Sequence, residues 1–262
     1  KSGQFQAIIT TGPPHSVHLI GRELKQKTGL PWIADFRDPW SQWEFLDTLP
    51  MTSWVRKKHI QLEQTVLREA NAVLTISPTF QKDLEKIANR RINLLTNGFD
   101  PADIPAGFSP KEKELGKLHL VYSGIIDAIR NPIPLMEALK AEFGQSEIQI
   151  DWTFVGKVSE QVKEYVRQDE WLSKRIHFAG YVSHREVFDF YAKADVLVLI
   201  LTDTKNAQGN IPGKLFEYLA TGAPVLALGD PVGDSARILK EAEAGKVIRY
   251  GDQIGIQAQL RA

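Results

Sequence analysis

Lys214 and Glu217 stand three residues apart, directly after Pro212-Gly213. An ammonium suits an anion, and a carboxylate can accept two hydroxyl protons of the kind a ribose offers. What gives the pair weight is its setting. The apolar run Asp195–Leu201 reads as a buried parallel strand. A polar loop, 202–210, follows it. Pro212 and Gly213 open a helix that Gly222 closes, and Val225–Leu228 starts the next strand. A loop between the carboxyl end of a parallel strand and a helix amino terminus is where open α/β sheets bind ligands. Free N–H groups and the helix dipole there favour phosphate. The pattern therefore predicts a phosphate-plus-ribose site. Taken singly, Glu217 reads as a dipole partner and Lys214 as a solvated surface residue; the order of strand, Gly-rich loop, Lys, Glu, Gly and strand favours the ligand.

The elements that would hold such a site repeat along the chain. Strands are expected at 5–10, 31–36, 72–76 and 93–95, with helices at 15–27, from Trp54 to Ala70, and after Ser77-Pro78. Pro101–Gly116 lacks periodicity and reads as a linker. Strands are then expected at 118–122, 149–155, 176–178, 195–201, 225–228 and 246–248, and helices at 133–143, 160–169, 185–192, 213–220 and 234–243. The fold class is α/β with two parallel-sheet domains. The boundaries are 1–101 for an amino-terminal domain short of strands, 102–116 for the linker and 117–262 for the second domain. The chain reaches a strand soon after Lys1 and stops inside a helix near Ala262, so a fragment or trimmed chain is expected.

Composition narrows the function. Of 262 residues, 43% are apolar, so a core is available. Net charge is zero, which argues against a general nucleic-acid binder, although about three excess basic charges precede Asp103. There is no Cys, and the six His do not form a spaced ligand set, so no metal site is expected. No run approaches transmembrane length. A cytoplasmic protein, soluble or surface-associated, is the expectation. No Gly-x-Gly-x-x-Gly turn follows a strand, which disfavours a dehydrogenase.

Several segments together resemble the retaining GT-B glycosyltransferases of family four (glycosyl transferases group 1). Lys214-Leu-Phe-Glu-Tyr-Leu-Ala-Thr-Gly-Ala-Pro-Val225 looks like the second half of their acidic signature. The segment from Phe178 to Val196, the turn Thr96-Asn-Gly-Phe-Asp100, and Tyr122-Ser-Gly124 with Arg130-Asn131 resemble further family segments in the same order. The resemblance implies GT-B architecture: two Rossmann-like domains facing a cleft, the second holding a nucleotide-sugar (UDP-, GDP- or ADP-sugar) and the first presenting a glycan or lipid-linked acceptor. It implies retention at the anomeric carbon, no obligatory metal or other cofactor, and a role in polysaccharide or glycolipid assembly.

Carried over by position, Glu217 would bind the ribose hydroxyls, and Gly124 would let the diphosphate approach the backbone. Arg130 would meet the charge that grows on the leaving diphosphate, with Lys214 as a second cation and the Gly213–Leu215 helix start beside it. Gly180, Tyr181 and Val182, with Val155, Gly156 and Lys157, would lie near the base. The first acid of the signature would fall at Gly209, which is not acidic; Asn210 next to it is a candidate for a sugar hydroxyl. Asn131 replaces a Lys common in the family. These departures keep two alternatives open, a degenerate nucleotide-sugar binder and a nucleotide-sugar epimerase.

In the first domain, Asp35-Phe-Arg-Asp-Pro-Trp40 sits at a strand's carboxyl end, with Asp38 the candidate to orient an acceptor and His15 a candidate near the transferred sugar. Either residue also reads as structural. The segment 40–54 carries Trp40, Trp43, Phe45, Leu46, Leu49, Met51 and Trp54, followed by Arg56, Lys57, Lys58 and His59. It reads as a lid packed on the core or as a peripheral membrane contact.

Overall fold

The computed structural model describes residues 2–43, 46 and 49–261. The chain divides into two compact units, Lys1–Asn97 and Gly98–Ala262.

The first unit alternates β1 (Ile8–Gly12), α1 (Val17–Thr28), β2 (Trp32–Phe36), α2 (Ser53–Glu69), β3 (Ala72–Thr75), α3 (Pro78–Ala88) and β4 (Asn93–Leu94). The caps follow the local chemistry. Gly29 ends α1 at φ 73°. Thr52 and Ser77 accept N–H bonds from Val55 and Phe80 at the starts of α2 and α3. The four strands are parallel in the order β1-β2-β3-β4. The helices pack on the face carrying Trp32, Ala34, Phe36 and Val73, joined there by Val66, Leu67, Leu84 and Ala88. The other sheet face leaves Ile33, Asp35 and Leu74 half-buried and Ile9 67% exposed. β1 starts later than its apolar pattern suggests, and Phe5 stays 67% exposed. In the aromatic segment Trp40 and Leu46 are buried, with Trp43 and Met51 packed against the same core. Leu49 and Trp54 are exposed, and Phe45 lies outside the described residues.

The second unit carries β5 (Lys117–Ser123), α4 (Ile133–Phe143), β6 (Gln149–Val155), α5 (Glu160–Gln168), α6 (Glu170–Ser173), β7 (Ile176–Gly180), α7 (His184–Tyr191), β8 (Val196–Ile200), α8 (Gly213–Thr221), β9 (Val225–Leu228), α9 (Asp234–Glu241), β10 (Gly245–Ile248) and α10 (Gln253–Arg261). The helix expected at 160–169 breaks because the Asp169 carboxylate accepts the N–H groups of Trp171 and Leu172 and restarts the chain as α6. The segment expected as a linker is docked on this unit. Ile104 and Phe108 pack on its core, and the Lys111 N–H donates to the Ala192 carbonyl at 2.7 Å.

All six strands are parallel, in the order β10-β9-β8-β5-β6-β7. Leu120, Tyr122, Trp152 and Phe154 fill one side of the sheet and Val121, Leu197, Leu199, Leu215 and Tyr218 the other. Strand order reverses between β5 and β8. A crevice therefore opens outside their carboxyl ends, where helices leave toward opposite faces. Among the described residues no helix is long and apolar enough to cross a membrane.

Candidate functional site

The crevice is built first by glycines. Gly124 follows β5 at φ 121° and Gly156 follows β6 at φ 119°, a region that side chains avoid. A Cβ on Gly156 would run into the Gly124 carbonyl, so the two strand ends approach as only bare backbone can. The Gly124 N–H donates to Val155 O at 2.8 Å and the Gly156 N–H to Gly180 O at 2.7 Å. Three successive strand ends are thus tied in one row, and a groove of about 460 Å³ lies along them. Ser123, Gly124, Gly156, Tyr181, Val182, His184, Tyr191 and Glu217 line it. A depression of about 520 Å³ elsewhere on the unit includes Gly245, at the amino end of β10, the wrong end of a parallel strand for ligand binding.

Across the crevice, α8 brings in Lys214. Its ammonium donates to the Ser123 carbonyl and to the Tyr122 hydroxyl, and lies 4.4 Å from the centroid of the Tyr122 ring. It fills the space that a side chain on Gly124 would take. Burial first, and then the positive charge of Arg130, lower its pKa to about 8 against the pull of Glu217 and Asp127. Arg130 is held by Asp127 at 2.8 Å, three residues earlier in the loop after β5. Two cations therefore converge beside a glycine turn. At the head of α8, Leu215 is itself buried in the core and its N–H already bonds Pro212 O at 3.0 Å. Gly213 and Lys214 precede it at the start of the helix, where N–H groups have no intrahelical acceptor.

Glu217 sits one turn further, half-buried. Its Oε1 lies 3.2 Å from His184 Nε2, and its Oε2 accepts from the Tyr191 hydroxyl at 3.4 Å. Tyr191 also meets Ser123 Oγ at 2.7 Å, while the Ser123 N–H donates to the Tyr218 hydroxyl at 3.0 Å. Burial raises the pKa of Tyr191 and Tyr218, which keeps both hydroxyls protonated and able to donate. This network fixes the carboxylate at the groove wall. The Tyr181 ring, 92% exposed, and Val182 follow Gly180 at the other end of the groove.

The other sequence candidates have settings of their own. Gly209 is buried in a short 3-10 turn, and Asn210 has its carbonyl held by Ser235 Oγ at 2.6 Å. Asn131 lies just before α4, its Oδ1 accepting the Ile133 N–H at 3.0 Å. His15 and Asp38 belong to the first unit. His15 is 5% exposed, stacked on Phe36 and Trp40 with ring centroids 5.7 and 5.6 Å away. Burial lowers its pKa to about 4, so the ring is neutral. Asp38 is half-buried in the bend after β2 and has an interaction partner. Sequence reasoning missed Ser123, Asp127, His184, Tyr191 and Tyr218. The i, i+3 spacing of Asp127 and Arg130 was the one local signal available; the others meet only through the sheet.

No curated protein matches the chain. Among solved structures, sucrose-phosphate synthase of Thermosynechococcus elongatus superposes with a TM-score of 0.74 at 17% identity, covering 98% of this chain and 64% of that one. HepE of Anabaena, solved with UDP, gives 0.70 at 16% identity, covering 97% and 69%. TarM gives 0.70 at 12% identity, covering 97% of this chain and 46% of that protein. The chain thus spans less than two thirds of the first of these. The likenesses support the GT-B fold class expected from the motifs. Residues 118–262, more than half of the length, match the description glycosyl transferases group 1, and the chain belongs to that family.

Proposed function

We propose that this chain carries the donor site of a cytoplasmic glycosyltransferase that moves a sugar from a nucleotide-sugar to a glycan or lipid-linked acceptor with retention, in assembly of a surface polysaccharide or glycolipid. The convergence of Lys214, Arg130 and the Gly124–Gly156 backbone beside the anchored Glu217 carries the reading. Breaking the glycosidic bond leaves negative charge on the terminal phosphate of the departing nucleotide. Arg130 and Lys214 oppose that charge in a partly water-excluded crevice, where a cation acts more strongly than in bulk water. Glu217 takes the two ribose hydroxyls, exchanging its present contacts with His184 and Tyr191 for them. The exposed Tyr181 ring offers a stacking surface for the base. In the first unit, Asp38 orients the acceptor and His15 supports the loop that carries it.

A melting-temperature screen with UDP, GDP and ADP, and then with their sugars, tests donor binding. Glu217→Ala should weaken the best nucleotide-sugar by on the order of 2–4 kcal/mol through loss of charge-assisted hydrogen bonds. Stabilisation by none of these nucleotides, or unchanged calorimetric affinity in the variant, refutes the reading. Transfer to an acceptor panel, with the anomeric configuration of the product read by NMR, tests activity and retention. The buried Gly209 at the position of the family's first acid favours one alternative, binding without transfer. Donor affinity with neither transfer nor hydrolysis would establish it, and epimerisation of donor alone would indicate an epimerase.

A further inference from the structure

We propose that the outward face of α2 docks this protein on a bilayer rich in anionic lipid. The inference is independent of the donor groove and starts from how the aromatic segment divides. Trp40, Trp43, Leu46 and Met51 pack on the first unit's core, whereas Leu49 is 52% and Trp54 72% exposed. Trp54 is therefore no part of the packed lid. Its neighbours on the helix surface follow at i+3, i+4 and i+7: Lys57, Lys58 and Gln61, all exposed. Arg68 continues the same stripe further along α2 and is also exposed.

No acid opposes this stripe from its own helix. Glu63 is fully buried on the opposite side, and Glu69 is held by Arg22 through two bonds of 2.8 Å. Lys57 and Lys58 make no ion pair among the described residues. Exposed apolar residues scattered singly need no explanation. Here Trp54 sits beside unpaired lysines, the combination that partitions an indole to the headgroup level while ammonium groups meet anionic phosphates. The charge of the chain is divided to match. Residues 1–97 hold 13 Lys and Arg against 9 Asp and Glu, whereas residues 98–262 hold 19 against 23. An anionic surface attracts the first unit and repels the second, which selects the first unit for contact. The other face of α2 is committed to the core through Val66 and Leu67, so the contact is a docked helix face rather than an inserted helix.

The test is sedimentation of the whole chain with phosphatidylglycerol–phosphatidylcholine vesicles and with phosphatidylcholine vesicles. The expected result is binding to the mixed vesicles alone, weakened when salt rises from about 0.1 to about 0.5 M. Each lysine near such a surface is worth roughly fivefold in partition, so Lys57→Glu with Lys58→Glu should lower it more than tenfold, and Trp54→Ser should lower it severalfold at unchanged melting temperature. Lys82→Glu with Lys86→Glu, on α3 of the same unit, changes net charge equally and should retain most binding. No binding to mixed vesicles, equal binding to neutral ones, or equal loss from the two charge pairs overturns the proposal.

Discussion

Lys214 offers the sharpest test because its site pulls it in two directions. The crevice buries its ammonium next to Arg130 and holds its pKa near 8. A diphosphate requires the ammonium form. The protonated fraction falls from about nine tenths at pH 7 to about one tenth at pH 9, so nucleotide-sugar affinity should drop roughly tenfold over that interval. Binding near pH 8 should take up about half a proton, because the incoming anion raises the lysine pKa again. Without added nucleotide, the pH dependence of stability should run the opposite way. A base whose folded pKa lies below its unfolded value destabilises the fold below the folded pKa, so Lys214 costs stability at neutral pH and that cost disappears as pH rises from 8 to 10.5. Lys214→Met keeps the stem over the Tyr122 ring and removes the charge. Titration calorimetry with UDP-glucose at pH 7, 8 and 9, in two buffers of different ionisation enthalpy, compares the two proteins and cancels any titration of the ligand. The variant should bind at least tenfold more weakly at pH 7, by loss of a charged hydrogen bond of about 1.5–3 kcal/mol, and should lose the extra pH dependence. Identical pH profiles for wild type and variant would refute the reasoning.

Two further outcomes are expected from the fold. His15 and His18 are buried with pKa values lowered to about 4, so unfolding takes up protons between that value and 6.5. Stability of the first unit should be fully present above pH 6.5 and fall as pH drops toward 4, by on the order of 3 kcal/mol per ring; denaturant melts of wild type and His15→Phe should show about half of this slope removed by the variant, and an unchanged slope would sink the assignment. Gly156→Ala should lower the melting temperature of the second unit by the equivalent of about 1–3 kcal/mol and weaken nucleotide binding, since its Cβ meets the Gly124 carbonyl at a positive φ; a fully stable variant would mean that the two turns are not as tightly joined as described.

Much of this protein is legible in one dimension. Runs such as Val196–Ile200 and Val225–Leu228 are apolar because a parallel strand is covered on both faces, and such a run needs no tertiary information to be read. Caps are equally local, as at Ser77-Pro78 and Gly222. The Gly213–Glu217 segment announced a helix start with a cation and an acid one turn apart, and the helix is there. Its neighbours along the chain were enough for that.

What the sequence left open depends on distance across the sheet. Ser123, Tyr191 and Glu217 are separated by up to 94 positions and meet only because β5 and β8 lie side by side where strand order reverses. Lys214 reads as solvated until α8 lays it over Gly124 and Tyr122, and its low pKa follows from that burial. His15 looked available at a strand end, but the lid residue Trp40 closes over it. Trp54 looked like part of the same lid until α2 turned it outward. Periodicity names the elements because side-chain spacing is local. Which charge is desolvated, and by what, is settled only when separate strands bring their ends to one place.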